Sequence, residues 1–326
     1  MLPDLRFALP LRRSIRSGSA TRRSDMRAVI RGFRRLHRVW RRRGGTERPL
    51  ADVHTADYGD KLEGFAHFAA TELAALVGVL GVSQDSSVLD VGCGTGFMLP
   101  ILERHVGPTG LVVGLDLARA HLARTGGRGA RLVQGDFERL PFRSGVFDVI
   151  WMVNALNHAA DPRRLIETLI DAVCPGGVLA VTQSALLPDM MFAWDLRLER
   201  VVREACLRAY RDAYGLRETD TAGIRRIVGL FREARLLDVA VTTVIIERIA
   251  PLDDADERYL RETVFEGYWG RKLRPYLSRK DWNTLSALCD PASTHYALRR
   301  ADFHHLQTLT LVRGRVPKRD GPETGA

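Results

Sequence analysis

From residue 86 to residue 183 the chain alternates between short, almost wholly apolar runs and segments with helical spacing. "SSVLDVG", "GLVVGLD", "ARLVQGD", "FDVIWMV" and "VLAVTQ" read as strands, with "GFMLPILERH", "LARAHLA" and "PRRLIETLIDAV" as helices among them. A strand without polar alternation is buried on both faces, which calls for helices on both sides of a sheet whose neighbours run parallel. The pattern predicts a doubly wound α/β domain. No other feature of the sequence narrows the fold as far.

Within that pattern "LDVGCGTGF", residues 89–97, places Gly92, Gly94 and Gly96 directly after the first strand. Glycine loses more conformational freedom on folding than any other residue, so a bare turn does not account for three in five positions. In doubly wound sheets ligands bind beyond the carboxyl ends of the strands, where such a loop sits. A dinucleotide fingerprint, GxGxxG, needs glycine where Phe97 stands, which disfavours that cofactor. The DxGxGxG form, with Asp90 at the strand end and Cys93 and Thr95 between the glycines, resembles motif I of the class I S-adenosyl-L-methionine (SAM)-dependent methyltransferases.

Three further segments carry the resemblance: "VVGLDLA" around Asp116 and Leu117, "GDFERLPFRSGVFDVI" around Asp136 and Phe137, and the turn "CPGGVLAV". Together they cover about residues 86 to 184 and resemble the subfamily that includes the ubiquinone and menaquinone C-methyltransferases. The resemblance implies a Rossmann-like, seven-stranded and mostly parallel sheet with SAM as cofactor. It implies that Asp116 accepts both ribose hydroxyls, that Asp136 accepts from the adenine amino group and that Phe137 packs on the ring. Asn154, just after the fourth strand, is expected to meet the cofactor mainly through its main chain. Upstream, "HTADYGDKLEGF" resembles the segment that folds over the cofactor in many relatives, making Tyr58 a candidate lid residue. A tyrosine packed on the first helix is the competing reading. Asp148 is read as a strand-end carboxylate with a structural partner, and "PGG" as turn chemistry.

Methyl transfer from a sulfonium is an in-line displacement, so the protein mainly aligns two reactants and excludes water. No catalytic triad is required. A hydroxyl acceptor would still gain about 10²- to 10⁴-fold from a positioned base, and His158 in "ALNHAADP" is the best-placed candidate. Relatives often carry "LHH" or "LEH" there, and a structural contact at a helix start is the favoured alternative for this histidine.

The expected organisation is a basic arm over residues 1–48, a SAM-binding core over 49–184, a helical cap insertion over 185–220 and a return to the core over 221–251. A second helical insertion over 252–302, a last core strand over 303–317 and a tail over 318–326 complete it. The insertions are rich in apolar and aromatic residues, among them Met190, Met191, Phe192, Trp194, Phe265, Tyr268, Trp269 and Tyr276. That supply suits a small hydrophobic metabolite, although each of these side chains also suits a helical core.

Charge does not point to nucleic acid. The formal net charge is +10, but residues 1–45 hold 14 arginines against Asp4 and Asp25, which leaves the body nearly neutral. A domain that grips RNA normally shows a basic face. "SDMRAVIRGFRRLHRVWRRR" can form an amphipathic helix suited to an anionic membrane or an acidic partner, and an extension without defined structure is the other reading. A SAM-binding regulatory protein that uses this arm, and an RNA methyltransferase, are the alternative functions. The four cysteines (Cys93, Cys174, Cys206, Cys289) form no CxxC pair and the histidines are scattered, so neither a metal site nor a disulfide framework is expected. A cytoplasmic location follows as the default.

Overall fold

Four of the five apolar runs become strands with two faces to bury, whereas Arg131–Gln134 lies at the sheet edge and is largely exposed, so it departs from the expected burial. The computed structural model describes residues 56–126, 130–185, 189–191, 195–214 and 226–318. The N-terminal arm, the tail beyond residue 318, Phe192 and Trp194 lie outside these described residues.

The described chain opens with helices α1 (Ala56–Phe68) and α2 (Ala70–Val77). Strands and helices then alternate as β1 (Ser87–Val91), α3 (Leu99–Val106), β2 (Leu111–Asp116), α4 (Arg119–Ala123), β3 (Arg131–Gln134), β4 (Phe147–Val153), α5 (Pro162–Ala172) and β5 (Val173–Ser184). A short β6 (Asp189–Met191) precedes α6 (Leu196–Tyr214), α7 (Ile227–Glu233) and the long β7 (Leu237–Ile249). Between β7 and the final strand β8 (His304–Arg315) lie α8 (Asp254–Tyr259), a π-helical segment (Leu260–Trp269), α9 (Gly270–Leu273) and α10 (Arg279–Cys289).

The sheet order is β3-β2-β1-β4-β5-β8-β6, with β7 also bonded to β8. β5 pairs Leu309–Arg315 of β8 and β6 pairs His304–Leu306, while β7 takes the opposite edge over the full length of β8. Eight strands therefore fill seven lanes, and β8 alone runs antiparallel to its neighbours. This is the doubly wound, mostly parallel sheet that the sequence pattern predicts.

Alternation along the strands feeds two cores. Val88 of β1 and Val149 and Trp151 of β4 face a cluster with Leu73 and Leu76 of α2 and Leu99 and Leu102 of α3. Leu89, Val91, Ile150 and Met152 face the other side, against Leu165 and Leu169 of α5 and Leu230 and Phe231 of α7. Val202 of α6, Phe265, Trp269 and Leu285 belong to the first cluster, so the insertions share a core with the sheet. At roughly 1.5–3 kcal/mol for each fully buried large apolar side chain, this double layer is what makes the strand tips rigid enough to carry a site.

Local signals fix the turns. Asp161 caps α5 by accepting from the N–H groups of Arg163 and Arg164 at 3.0 and 3.2 Å, with Pro162 in the first turn. Asp148 accepts from the N–H and hydroxyl of Ser87 at 2.9 and 2.7 Å, which pins β4 to β1 and gives that carboxylate a structural partner. Two elements differ from expectation. The sequence keeps helical spacing through 62–80, yet the helix breaks at Ala69 (φ −103°, ψ 17°), where Phe68 turns into a stack with Tyr259, ring centroids 4.2 Å apart. Met190 and Met191, within the segment expected as a helical insertion, form β6 because β8 offers them a free edge.

Candidate functional site

The glycine loop closes over the end of β1 and is tied to β2 by its backbone. The N–H groups of Gly92 and Cys93 both donate to the carbonyl of Leu115, at 2.7 and 3.0 Å. Gly92 and Gly96 stand at φ +73° and +80°, in the left-handed region. A Cβ at Gly92 would lie 2.8 Å from the Cβ of Ala155, and one at Gly96 would lie 2.8 Å from a methyl of Thr125. Here both the backbone angle and the space exclude a side chain.

Asp116 at the tip of β2 organises the loop. One carboxylate oxygen accepts from the N–H of Gly94 at 2.9 Å, the other from the N–H of Ala118 at 2.8 Å, with Nδ1 of His121 at 3.3 Å. The carbonyl of Asp116 also accepts from Gly135 N–H at 3.0 Å, so β1, β2 and β3 end in one hydrogen-bonded cluster. A carboxylate has about four acceptor positions, so these bonds leave capacity for further donors.

Asp90 lies beneath this cluster and is 3% exposed. Burial, with Asp116 adding like-charge repulsion, raises its carboxyl from the ordinary 3.8 to about 7. Burial, then Asp90 and Asp116, push the Cys93 thiol well above its ordinary value, so it stays protonated and is no nucleophile. Thr95 is buried within the loop.

At the exit of β3, Asp136 caps a 3₁₀ turn (Phe137–Arg139) by accepting from Glu138 N–H at 2.9 Å. Phe137 is 8% exposed and joins the second core, while the carbonyl of Leu117 accepts from the Gln134 amide at 3.2 Å. After β4, Asn154 (φ +50°) accepts through its side-chain oxygen from Gln183, Ser184 N–H and the Ser184 hydroxyl, at 2.9, 2.8 and 3.1 Å. Its side chain thus anchors β5, and its own N–H donates to the carbonyl of Thr182 at 2.9 Å. His158 ends a 3₁₀ turn (Leu156–His158), half-buried, its N–H donating to the carbonyl of Ala155 at 3.1 Å.

The structure brings Tyr58 to the same cluster. Its ring stacks on that of His121, centroids 6.2 Å apart and planes at 27°. Leu62, one turn further along α1, approaches within 3.0 Å of where a Cβ of Gly94 would stand. Arg124 fastens α1 from the other side, bonding Glu63 through two nitrogens at 3.1 and 2.8 Å and Asp60 at 2.7 Å. Sequence reasoning missed His121, Leu62 and Arg124. The available signal was the helical position of His121, five residues after Asp116 in "LDLARAH".

A family model described as a methyltransferase domain matches residues 89–181, the segment from β1 to β5. The trans-aconitate 2-methyltransferase of Deinococcus radiodurans is 31% identical over 218 residues, 65% of this chain and 78% of that protein. The chain belongs to the SAM-dependent methyltransferase family. A demethylmenaquinone methyltransferase of Lactococcus lactis is 30% identical to this methyltransferase over 159 residues, which is 45% of the chain and 63% of the relative's length, under two thirds of it. Among solved structures, the phosphoethanolamine N-methyltransferase 2 of Haemonchus contortus in complex with SAM aligns at 15% identity and a TM-score of 0.48, covering 84% of this chain and 61% of that one. Among the described residues no helix is long and apolar enough to cross a membrane.

Proposed function

We propose that this methyltransferase moves the methyl group of SAM to a small, predominantly apolar metabolite held by the helical insertions. The observation that carries the reading is the carboxylate of Asp116 drawn to the glycine loop through Gly94 N–H, at the tip where doubly wound sheets bind their ligands. The donor set fits SAM: a loop free of side chains at Gly92, Gly94 and Gly96, a carboxylate with remaining acceptor capacity for the ribose, and Asp136 beside Phe137 for the adenine. Asp90 and Leu117 complete the floor, the main chain at Cys93, Thr95 and Asn154 lines it, and Tyr58 covers it from α1.

When bound, SAM supplies an electrophilic methyl on a sulfonium. The chain's share is alignment and dryness: the glycine loop fixes the methionine side, Asp116 the sugar, and α1 excludes water. Alignment of this kind is worth roughly 7–11 kcal/mol, enough to dispense with a strong base. For a hydroxyl acceptor His158 is the candidate to take the proton.

The acceptor side rests on the segments over 185–220 and 252–302, read as cap insertions. A cavity of about 580 Å³ in the second of them is lined by Phe265, Trp269, Trp282 and Leu285, with Lys272 and Asp290 among its polar groups. Its size is that of sites for small organic molecules. Calorimetric titration with SAM and S-adenosylhomocysteine tests the first half of the proposal; absence of binding to either overturns it. Incubation with labelled SAM and a metabolite extract tests the second half. A labelled apolar small molecule is the expected product, and label found only on RNA or protein overturns the acceptor class.

A further inference from the structure

We propose that β7 is a self-association seam, at which two copies of this chain pair their β7 edges antiparallel about a two-fold axis through Ile245. β7 is thirteen residues long and bonded to β8 on one side, and among the described residues no strand covers its other edge. Edge strands are ordinarily blunted by brevity, lysine, proline or a bulge, because open N–H and C=O groups template unwanted pairing. Here the only shift in register falls between Leu237 and Ala240, and the regular stretch from Ala240 to Ile249 contains no lysine, proline or glycine.

One face of this strand is also apolar and open. Val241, Ile245 and Ile249 are 51, 53 and 63% exposed, three of the seven exposed large apolar side chains among the described residues. The opposite face is already used: Ile246 is fully buried, and Arg248 bonds Glu72 at 2.9 Å and Asp256 at 3.1 Å while lying over the Phe68 ring.

The side-chain order selects the partner. With the axis at Ile245, Ile245 meets Ile245, Val241 meets Ile249 on both sides, and Thr243 meets Glu247, so apolar faces apolar and hydroxyl faces carboxylate. No like charges oppose one another. Moving the axis to Thr243 sets Glu247 against Val239 and Ile249 against the irregular start of the strand. Cross-strand pairs of matched chemistry are what stabilise an antiparallel seam, and an isologous contact closes after two copies. Among the described residues paired on this face of β7 and β8 are Val312, Thr310, Thr308, Leu306, His304 and Glu247, with His304 and Glu247 bonded at 2.8 Å; this row holds no lysine or arginine, which suits neither an anionic lipid surface nor nucleic acid.

The experiment is light scattering and sedimentation of the full chain across a concentration series, with site-directed cysteine pairing. The wild type is expected to reach twice the 36.5 kDa chain mass. I245K sets two cations against each other at the axis and should weaken association by at least about 100-fold, with an unchanged circular dichroism melt showing that it folds. I245C should give a covalent dimer on mild oxidation, since directly opposed residues of an antiparallel pair stand about 4.5–5.5 Å apart at Cα, within disulfide reach. V241C should couple to I249C in a mixture and not to itself. A single-chain mass at every concentration overturns the proposal, as does a dimer that survives I245K. V241C coupling to itself overturns the register. Slow amide exchange at Val241–Ile249 in a monomer would mean that the chain covers this edge with its own residues, and that too overturns it. I245C and V241C decide the matter if I245K does not fold.

Discussion

At the tips of β1 and β2 the working groups are backbone N–H donors and two buried carboxylates, locked by left-handed glycines and by hydrogen bonds of 2.7–3.0 Å. In the insertion between β7 and β8 they are ring faces: Phe265 and Trp269 stack at 5.3 Å, with Trp282 beside the same cavity. On the function proposed above, the first region would recognise SAM through main-chain geometry, which tolerates almost no substitution. The second would recognise the acceptor through apolar surface, which can be repacked at modest cost. That proposal divides the two tasks: one partner meets backbone, and the other meets side chains.

Substitutions that damage one region and spare the other sharpen this contrast. The largest effect belongs to Gly96→Val, which combines left-handed strain with a clash against Thr125 and Leu99; about 3–5 kcal/mol of stability should be lost in a chemical melt. A variant as stable as wild type would show that the loop is not locked.

Asp90→Asn comes next. Its folded pKa of about 7 lies above the ordinary 3.8, so the unfolded chain gives up the proton first. Stability is then greatest below pH 3.8, falls as pH rises towards 7 and is level beyond. The asparagine variant should lose that slope and gain roughly 2–4 kcal/mol at pH 8, read from melts across pH. A cationic ligand at this site favours the carboxylate, so SAM affinity should rise from pH 6 to 8 in the wild type and stay flat in the variant.

Asp116→Ala should weaken SAM binding by roughly 1.5–3 kcal/mol, about 10- to 100-fold, in a titration. Equal affinity would remove the ribose assignment. Trp282→Ala should raise the KM for the acceptor about 10-fold, the worth of one aromatic contact, while the Kd of SAM stays put. A change in both would break the separation of the two regions. The smallest effect is expected of His158→Ala, whose SAM affinity should match wild type within about twofold.

The first region was legible in the sequence because its physics is local. Apolar runs of strand length, three glycines in five positions and an acid at the next strand end each report within a few residues. The misses depended on distant partners. β6 exists because residues 304–306 offer an edge more than a hundred positions away, and three residues carry no periodic signal. The break at Ala69 has no glycine or proline to announce it; its cause is the packing of Phe68 against Tyr259 and His305. His121 looked like one more position in a short helix until the sheet set it beside Asp116 and beneath Tyr58. The π-helical segment likewise follows from how the insertion packs, and its sequence reads as ordinary helix.

The strand order carries one more consequence. Among the described strands β8 comes last in the chain, yet it sits between β5 and β7. Until the ribosome has delivered residues 304–315, β5 shows a bare edge and β7 has no neighbour at all, and both must wait through some fifty residues of helical insertion after β7 is complete. The nascent protein is thus most exposed to mispairing just before residues 304–315 emerge, and a stop codon near residue 300 would leave a product with the glycine loop present and an unfinished sheet.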